Sequence, residues 1–581
     1  MENYSDEKEN MPEEQKPLLP TSVSSKGGIK TLPFIIGSYG LMNMVPIALS
    51  ANMIVYLMKE YHMDMASGTN FIYIWSALSN FAPVIGAFMA DSFVGRFQMI
   101  GIGCFFSLVG TLLVWLSTMI LQVRPPWCSE SSESCSPPTA SQFAFLCIGL
   151  SVFAVGSGGV ASSTLAFGAD QLNEFENKGN TLMESYVSMY CAMTSFSMFV
   201  GITGLIYIQE NFGWKVGYGV LVAIVLFGAL VFFLGSAWYV RPIAKKNLIT
   251  GLFQVMVASC RNRHLQSSLE NYAYYSNKAS ILSHPSEKLR FLNKACIIQD
   301  PQRDLATDGT AINPWRLCTV DQVEELKALL KVMPIWLTRM IMSINLTQAS
   351  FVVLQATTLD RHIGPNFEIP AASIGSLGVV FVVVWVVSYD RIVLPLASRI
   401  SGKPFYFNMK SRMGCGIFVS FLSMAAMAAV EGIRRREAIE EGYSDDPEAG
   451  VPMSILWVLP TYALTGIAEG MNGVALNEFY ISEFPKSMSS IASSLYVLSM
   501  AFANLLSSFI MSVINRLTAR DGEESWISSN INKGHYDYFY WVLSGLSMAN
   551  FLLFLVFSKA YGPFKDQTRE AQAMEEEDIK F

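Results

Sequence analysis

Twelve apolar runs dominate the chain. Six begin near Leu32, Phe71, Met99, Ser141, Val187 and Val216, and six more near Ala328, Ala372, Met413, Ser454, Ile491 and Phe539. Each has room for the roughly 20 residues that carry a helix across about 30 Å of hydrocarbon. Between the sixth and seventh runs lies the one long polar stretch, 240–326. It holds Arg241, Lys245, Lys246, Arg261, Arg263 and Lys278, then Lys288, Arg290, Lys294, Arg303 and Arg316. The pattern predicts an all-α membrane protein with a tail over 1–31, a six-helix bundle over 32–239 and a linker over 240–326. A second six-helix bundle follows over 327–562, and a tail over 563–581. Two apolar blocks joined by a basic linker suggest a two-lobed transporter.

An even number of spans puts both tails and the linker on one side. That side also receives the turn with Arg96 and the loop with Arg399, Lys403, Lys410 and Arg412. The excess of cations assigns it to the cytosol. Two loops expected outside run against the rule: one with Arg434, Arg435 and Arg436, the other with Arg516 and Arg520. Within the linker, Thr319 followed by Asp321, Gln322 and Glu324 reads as a capped helix start leading into the seventh span. The stretch 261–312 is expected to be irregular. The tail over 1–31 is polar and acidic and does not read as a cleavable signal peptide. It contains Glu14, Leu18 and Leu19 in an E-x-x-x-L-L pattern, which would address sorting adaptors to endosomal or vacuolar membranes.

Composition agrees with this picture: 51% of the residues are hydrophobic and 15% charged, where a soluble chain carries about 25% charged residues. No basic, aromatic-interleaved patch suggests nucleic-acid binding. The nine Cys show neither a C-x-x-C pair nor metal-ligand spacing, so no metal or other cofactor is expected. Cys128 and Cys135 share a polar loop. If that loop faces outward, a disulfide is open to them; two free thiols is the alternative. The chain has no phosphate-binding glycine loop, nucleophile elbow or zinc-helix motif, so it does not read as an enzyme or as an ATP-driven pump.

Several stretches are more specific. The turn Gly86-Ala-Phe-Met-Ala-Asp91-Ser-Phe-Val-Gly95-Arg96 resembles the D-x-x-G-R signature of the major facilitator superfamily, with one extra residue before the Gly. Leu165-Ala-Phe-Gly-Ala-Asp170-Gln171, Glu287-Lys-Leu-Arg-Phe-Leu-Asn-Lys-Ala and Pro314-Trp-Arg-Leu-Cys-Thr-Val-Asp-Gln-Val-Glu-Glu resemble blocks of the plant nitrate/peptide transporter family (NPF). So do Phe367-Glu-Ile-Pro-Ala-Ala and Phe484-Pro-Lys-Ser-Met-Ser-Ser. This family is related to the proton-coupled oligopeptide transporters. The resemblance runs from about Leu32 to Asp566. It implies the major facilitator superfamily fold, with twelve transmembrane helices in two six-helix bundles that work by alternating access. It also implies Asp91 and Arg96 as a gating latch. It does not imply a substrate, because the family carries nitrate, peptides, hormones, glucosides and alkaloids.

The chain departs from the family where protons are handled. The resemblance places an E-x-x-E-[R/K] motif in the first span; those positions hold Tyr39, Met42 and Asn43. A cation expected after the Gly158-Gly159 pair of the fourth span is replaced by Ala161 and Ser162. Neither Met nor Asn can relay a proton. Where nitrate-carrying relatives place a His, this chain has Asn345. Arg339 lies in the seventh span, where a charge costs about 2.5–3.5 kcal/mol and is therefore functional or paired, unless it snorkels to the interface. It is expected to gate the two lobes, with Glu469 as its partner. Glu469 in the tenth span matches a family acid that faces the cavity. It is the remaining candidate for a titrating group.

The expected substrate-binding set is Tyr39, Asn43, Tyr73, Trp75, Tyr190, Asn345, Gln348, Gln355, Glu469 and Asn472, with Tyr186 and Tyr496 as weaker candidates. Aromatics and amides suit a sizeable, partly apolar ligand that carries hydroxyl groups. The favoured reading is a small-molecule transporter, embedded in lipid as a monomer or weak homodimer. It would export a specialised metabolite of the glycoside or glycoalkaloid type from the vacuole, with altered or absent proton coupling. The alternatives are a proton-coupled low-affinity nitrate transporter of the plasma membrane and a transport-inactive sensor.

Overall fold

A computed structural model of the chain describes residues 27–562, apart from loop stretches at 127–136, 173–178, 242–247, 266–272, 277–283, 307–308, 363, 365–367, 403–406, 447–448, 486–487 and 520–523. Cys128, Cys135, Glu14, Leu18 and Leu19 lie outside the described residues. The first bundle comprises α1 (Leu32–Lys59), α2 (Met65–Met89), α3 (Arg96–Met119), α4 (Ala140–Asp170), α5 (Gly179–Val200) and α6 (Ile206–Leu234). The linker carries α7 (Leu248–Arg261) and two single turns, α8 (Arg290–Asn293) and α9 (Pro301–Asp304). The second bundle begins with α10 (Val320–Leu346), α11 (Ala349–Thr357), α12 (Gly375–Ser388) and α13 (Leu394–Ser401). It ends with α14 (Met409–Glu440), α15 (Leu459–Glu483), α16 (Ser489–Thr518) and α17 (Tyr536–Tyr561). A short parallel pair, β1 (Leu359–Asp360) with β2 (Val451–Ser454), ties two loops together on the side away from the linker.

Ten helical stretches among the described residues are long and apolar enough to cross a membrane. One of them, Ser185–Ala237, is two spans, because Gly213 takes φ 80° inside α6 and breaks the rod. Glycine alone reaches that conformation without strain. A further crossing is α15, which carries Glu469 and Asn472 within its apolar run. The result is an all-α membrane protein with twelve crossings in two bundles.

Two repeated devices fix the linker-side ends of the bundles. The last turn of the second span widens to a π-turn over Ala90–Val94, and Gly95, at φ 86°, lets α3 start abruptly. Arg96 then pairs with Asp91 at 3.0 Å and chelates Asp170, at the end of α4, at 2.8 and 2.9 Å. The second bundle repeats this. A π-turn covers Tyr389–Val393, and Arg412 near the start of α14 holds both oxygens of Glu478 near the end of α15, at 2.8 and 2.9 Å. Gln171 adds a brace to the first bundle by exchanging two hydrogen bonds with the backbone of Val240.

The linker packs onto the second bundle. Leu252, Val255 and Ala258 of α7 share a core with Leu292, Ala295, Cys296 and Val323. Burial there pushes the Cys296 thiol up to about 12, so it stays protonated and inert. Thr319 caps α10 in the reciprocal arrangement with Gln322 that the spacing suggests. The helix α7 lies within the polar linker, where the span pattern gives no hint of it.

The expectation of a loop at 434–436 is corrected. Arg434 lies inside α14 and is wholly buried, as is Glu431 one turn earlier. The guanidinium takes both oxygens of Glu431 at 2.7 and 2.9 Å, and donates to Asn532 at 2.7 Å and to the Ile531 carbonyl at 3.1 Å. Gln355 donates the remaining bond to Glu431 at 2.8 Å. Opposite charges one turn apart can extend a helix past the apolar run, and a buried pair is tolerated when every lone pair is used. Arg434→Met strands the carboxylate. It should destabilise the protein by about 3–5 kcal/mol, read as a large fall in the melting temperature of the detergent-purified protein. Arg434→Met combined with Glu431→Gln should recover most of that loss. Equal melting temperatures for the single variant and the parent would show that the pair contributes nothing.

Candidate functional site

A cavity of about 320 Å³ opens within the first bundle. Its α1 wall is Tyr39, Met42, Asn43, Pro46, Ile47 and Ser50, one face of the helix at spacings of three and four. Its α2 wall is Trp75, Ser76, Ser79, Asn80 and Pro83, the same spacing again. Ser157, Gly158 and Ala161 come from α4. Pro46 and Pro83 each remove the amide that would bond the carbonyl four residues back. Those carbonyls belong to Met42 and Ser79, both in the lining. Ser79 and Ser107 carry buried hydroxyls with no hydrogen-bond partner, and Asn80 donates to Ser76 at 2.8 Å. Among the described residues no Asp, Glu, Lys, Arg or His lines the cavity. The glycines of α4 serve close packing: a Cβ on Gly158 would come within 2.5 Å of Ala82, and one on Gly156 within 2.2 Å of the Ser107 nitrogen.

Two of the positions that stand in for the family's first-span charges are held by a ring stack and a sulfur contact. Tyr39 stacks on Tyr190 of α5 at 4.3 Å between centroids. Met42 accepts the Cys104 thiol at 3.5 Å. Trp75 lends its ring to the lining while its indole N–H donates to the Leu150 carbonyl at 3.1 Å. Tyr186 is buried, and its hydroxyl donates to the carbonyls of Thr164 and Leu165.

The second bundle holds a buried ion pair. Arg339 is 1% exposed, which excludes snorkelling. Its two terminal nitrogens meet the two oxygens of Glu469 at 2.7 Å each. Asn472 accepts from Arg339 at 3.3 Å, and the Tyr496 hydroxyl donates to Glu469 at 2.6 Å. The Tyr496 ring lies 4.8 Å from the guanidinium. Arg339 and Glu469 are on α10 and α15, so the pair joins helices of one bundle; it does not bridge the two lobes.

The other residues singled out from the sequence are used elsewhere. Asn345 points between helices, donating to Ser420 and Ser547 at 2.8 Å each. Gln355 serves the Glu431–Arg434 cluster. Tyr73 donates to Gln348 at 2.9 Å and so joins the bundles. Met65 to Ser529, Ser508 to Asn70, and Ser373 to the Ile202 carbonyl join them too. All these links lie in the half away from the linker. Asp91 and Arg96 are held inside the first bundle with Asp170. The serines and Asn80 of α2 were missed from sequence, although Ser76, Ser79 and Asn80 form a polar stripe at helical spacing in an otherwise apolar run.

Comparison with known proteins fits this architecture. A family model described as PTR2, the POT family, matches residues 97–527. The chain is 46% identical to Protein NRT1/PTR FAMILY 1.2 of Arabidopsis thaliana over 96% of this chain and 93% of that protein. It is 45% identical to Protein NRT1/PTR FAMILY 1.1 of Arabidopsis thaliana over 98% of this chain and 97% of that protein. Among solved structures, an auto-inhibited POT family peptide transporter superposes with a TM-score of 0.65 at 16% identity, covering 92% of this chain and 98% of that one. The chain therefore belongs to the POT family of membrane transporters, in its plant NRT1/PTR branch.

Proposed function

We propose that this transporter carries a bulky, hydroxyl-bearing specialised metabolite of the glycoside or glycoalkaloid type. It moves the solute out of the vacuole by alternating access, down its gradient and without the usual proton coupling. The observation that carries the reading is the uncharged cavity. Its walls offer amide, hydroxyl and backbone acceptor groups beside Tyr39 and Trp75, which suits sugar hydroxyls against an apolar frame. Among the described residues the lining carries no carboxylate, amine, guanidinium or imidazole. Glu469, the remaining acid, has both oxygens committed to Arg339 and one also to Tyr496. Closure away from the linker fits a state open toward the linker side, which the cation distribution places in the cytosol.

The runner-up is proton-coupled nitrate transport at the plasma membrane. It is favoured by one observation, the buried cation of Arg339. An anion binding there must displace Glu469 from a bidentate contact, which makes this the weaker reading. The Asp91 and Arg96 latch is proposed to act in gating, and the E-x-x-x-L-L tail in sorting.

The leading reading is tested by flux in proteoliposomes, with the solute found by feeding a plant metabolite extract and identifying what crosses. Uptake should be equal at mildly acidic and neutral pH. The paired variant Arg339→Met, Glu469→Gln, which strands no charge, should keep that flat profile. Steep acid stimulation that disappears in the paired variant would instead route coupling through Glu469, and nitrate-evoked inward currents would establish the runner-up.

The cavity makes its own prediction. Ser79→Ala and Asn43→Leu should each raise KM for the solute about 5- to 10-fold, the value of one hydrogen bond of roughly 1 kcal/mol. The melting temperature should be nearly unchanged. An unaltered KM in both would place the binding site elsewhere.

A further inference from the structure

The helix α7 has two apolar faces, and among the described residues only one is covered. Leu252, Val255 and Ala258 face the linker core, where Ser259 donates to the Leu292 carbonyl at 3.3 Å. The opposite face presents Phe253, Met256, Val257 and Cys260, spaced three and four apart. Their exposures are 58% for Phe253, 51% for Met256 and 45% for Val257, and Cys260 is exposed too. A helix turned to water puts polar residues on that side. This one has no charge there before Arg261.

Three features decide what the face meets. First, α7 sits on the first turn of α10: Gly251 packs against the side chain of Gln322. Because α10 runs on into the seventh span, whose apolar run begins near Ala328, α7 is held six residues before it, roughly 9 Å along the helix and so at headgroup depth. Second, the end of α7 is cationic. Arg261 and Arg263 are exposed, and Lys294 donates to the Arg263 carbonyl at 3.0 Å. Among the described residues none of the three forms an ion pair with a carboxylate. Third, Phe291 and Trp315 lie exposed next to residues that touch α7, since Leu292 bonds Ser259 and the Arg316 carbonyl accepts from Asn262. An apolar stripe with a basic border and flanking aromatics is the composition of a helix at a lipid interface.

We propose that α7 lies in the plane of the leaflet on the linker side. Phe253, Met256, Val257 and Cys260 rest among the acyl chains, and Arg261, Arg263 and Lys294 hold anionic headgroups. The linker core moves with the second bundle, so this contact anchors that bundle to the leaflet while the first bundle rocks.

The test uses the full-length transporter in vesicles of equal phosphatidylcholine and phosphatidylserine. p-Benzoylphenylalanine replaces Phe253, and ultraviolet light fixes whatever lies against it. Mass spectrometry of the peptide spanning α7 should show phospholipid adducts, with phosphatidylserine favoured severalfold over phosphatidylcholine because the basic residues attract anionic headgroups. Replacing Arg261, Arg263 and Lys294 together by Gln should bring the two lipids toward equal yield. Should Phe253 give no lipid adduct while the same probe at the span residue Phe227 gives one, the proposal fails. A protein adduct at Phe253 in native membranes, in place of lipid, would also overturn it and identify the face as a docking site for a soluble partner.

Discussion

A charge buried away from water survives only beside its counter-charge, and among the described residues every such pair closes within one bundle. Arg339 with Glu469 and Glu431 with Arg434 are the buried ones, and the partly exposed pairs Arg96 with Asp170 and Arg412 with Glu478 likewise stay inside one lobe. Between lobes the bonds are neutral, as in Tyr73 to Gln348 and Met65 to Ser529. The two kinds of contact differ in strength. Stranding a buried charge costs about 3–5 kcal/mol, whereas a neutral hydrogen bond contributes roughly 0.5–1.5 kcal/mol. Each bundle is therefore stiff and the seam between them is weak, as rigid-body rocking requires.

The repeated latch shows how a sequence motif becomes that stiffness. In the first half a π-turn ends α2, Arg96 opens α3 and Asp170 stands at the end of α4; in the second a π-turn separates α12 from α13, Arg412 sits in the first turn of α14 and Glu478 near the end of α15. The one clear sequence signal was the turn through Asp91, Gly95 and Arg96. Its partner Asp170 lay in a family block whose role was not legible, because the contact spans 74 residues. The second copy, Arg412 with Glu478, was read only as loop charge.

Span number and the linker could be read from hydropathy, which responds to the same solvent that the helices meet. What could not be read were places where local and tertiary demands diverge. Arg434 to Arg436 look like a loop because three cations follow an apolar run; burial of Glu431 against Arg434 lets the helix continue. The helix α7 escaped notice because its apolar residues are too few to span a bilayer. At the site, Tyr39, Met42 and Asn43 were found through departure from a family motif. Asn345 and Gln355 were singled out for chemistry that packing has already used. Ser76, Ser79 and Asn80 stood at helical spacing all along, but small polar residues in a span are more often packing aids than ligand contacts.

The missing charges of the first and fourth spans make physical sense only as a set. A carboxylate at Tyr39 or Met42 would face a wall that now offers Ala161, Trp75 and serines, and would be desolvated without a cation. A cation at position 161 would be equally stranded, because the first-span positions across the cavity hold Tyr39, Met42 and Asn43 and offer no carboxylate. With neither the first-span acids nor the fourth-span cation present, no charge faces the cavity unpaired, and a lining without acidic or basic side chains is self-consistent. Neutral contacts such as Tyr73 with Gln348 hold the seam in this state, and a solute that binds two states alike cannot bias one over the other.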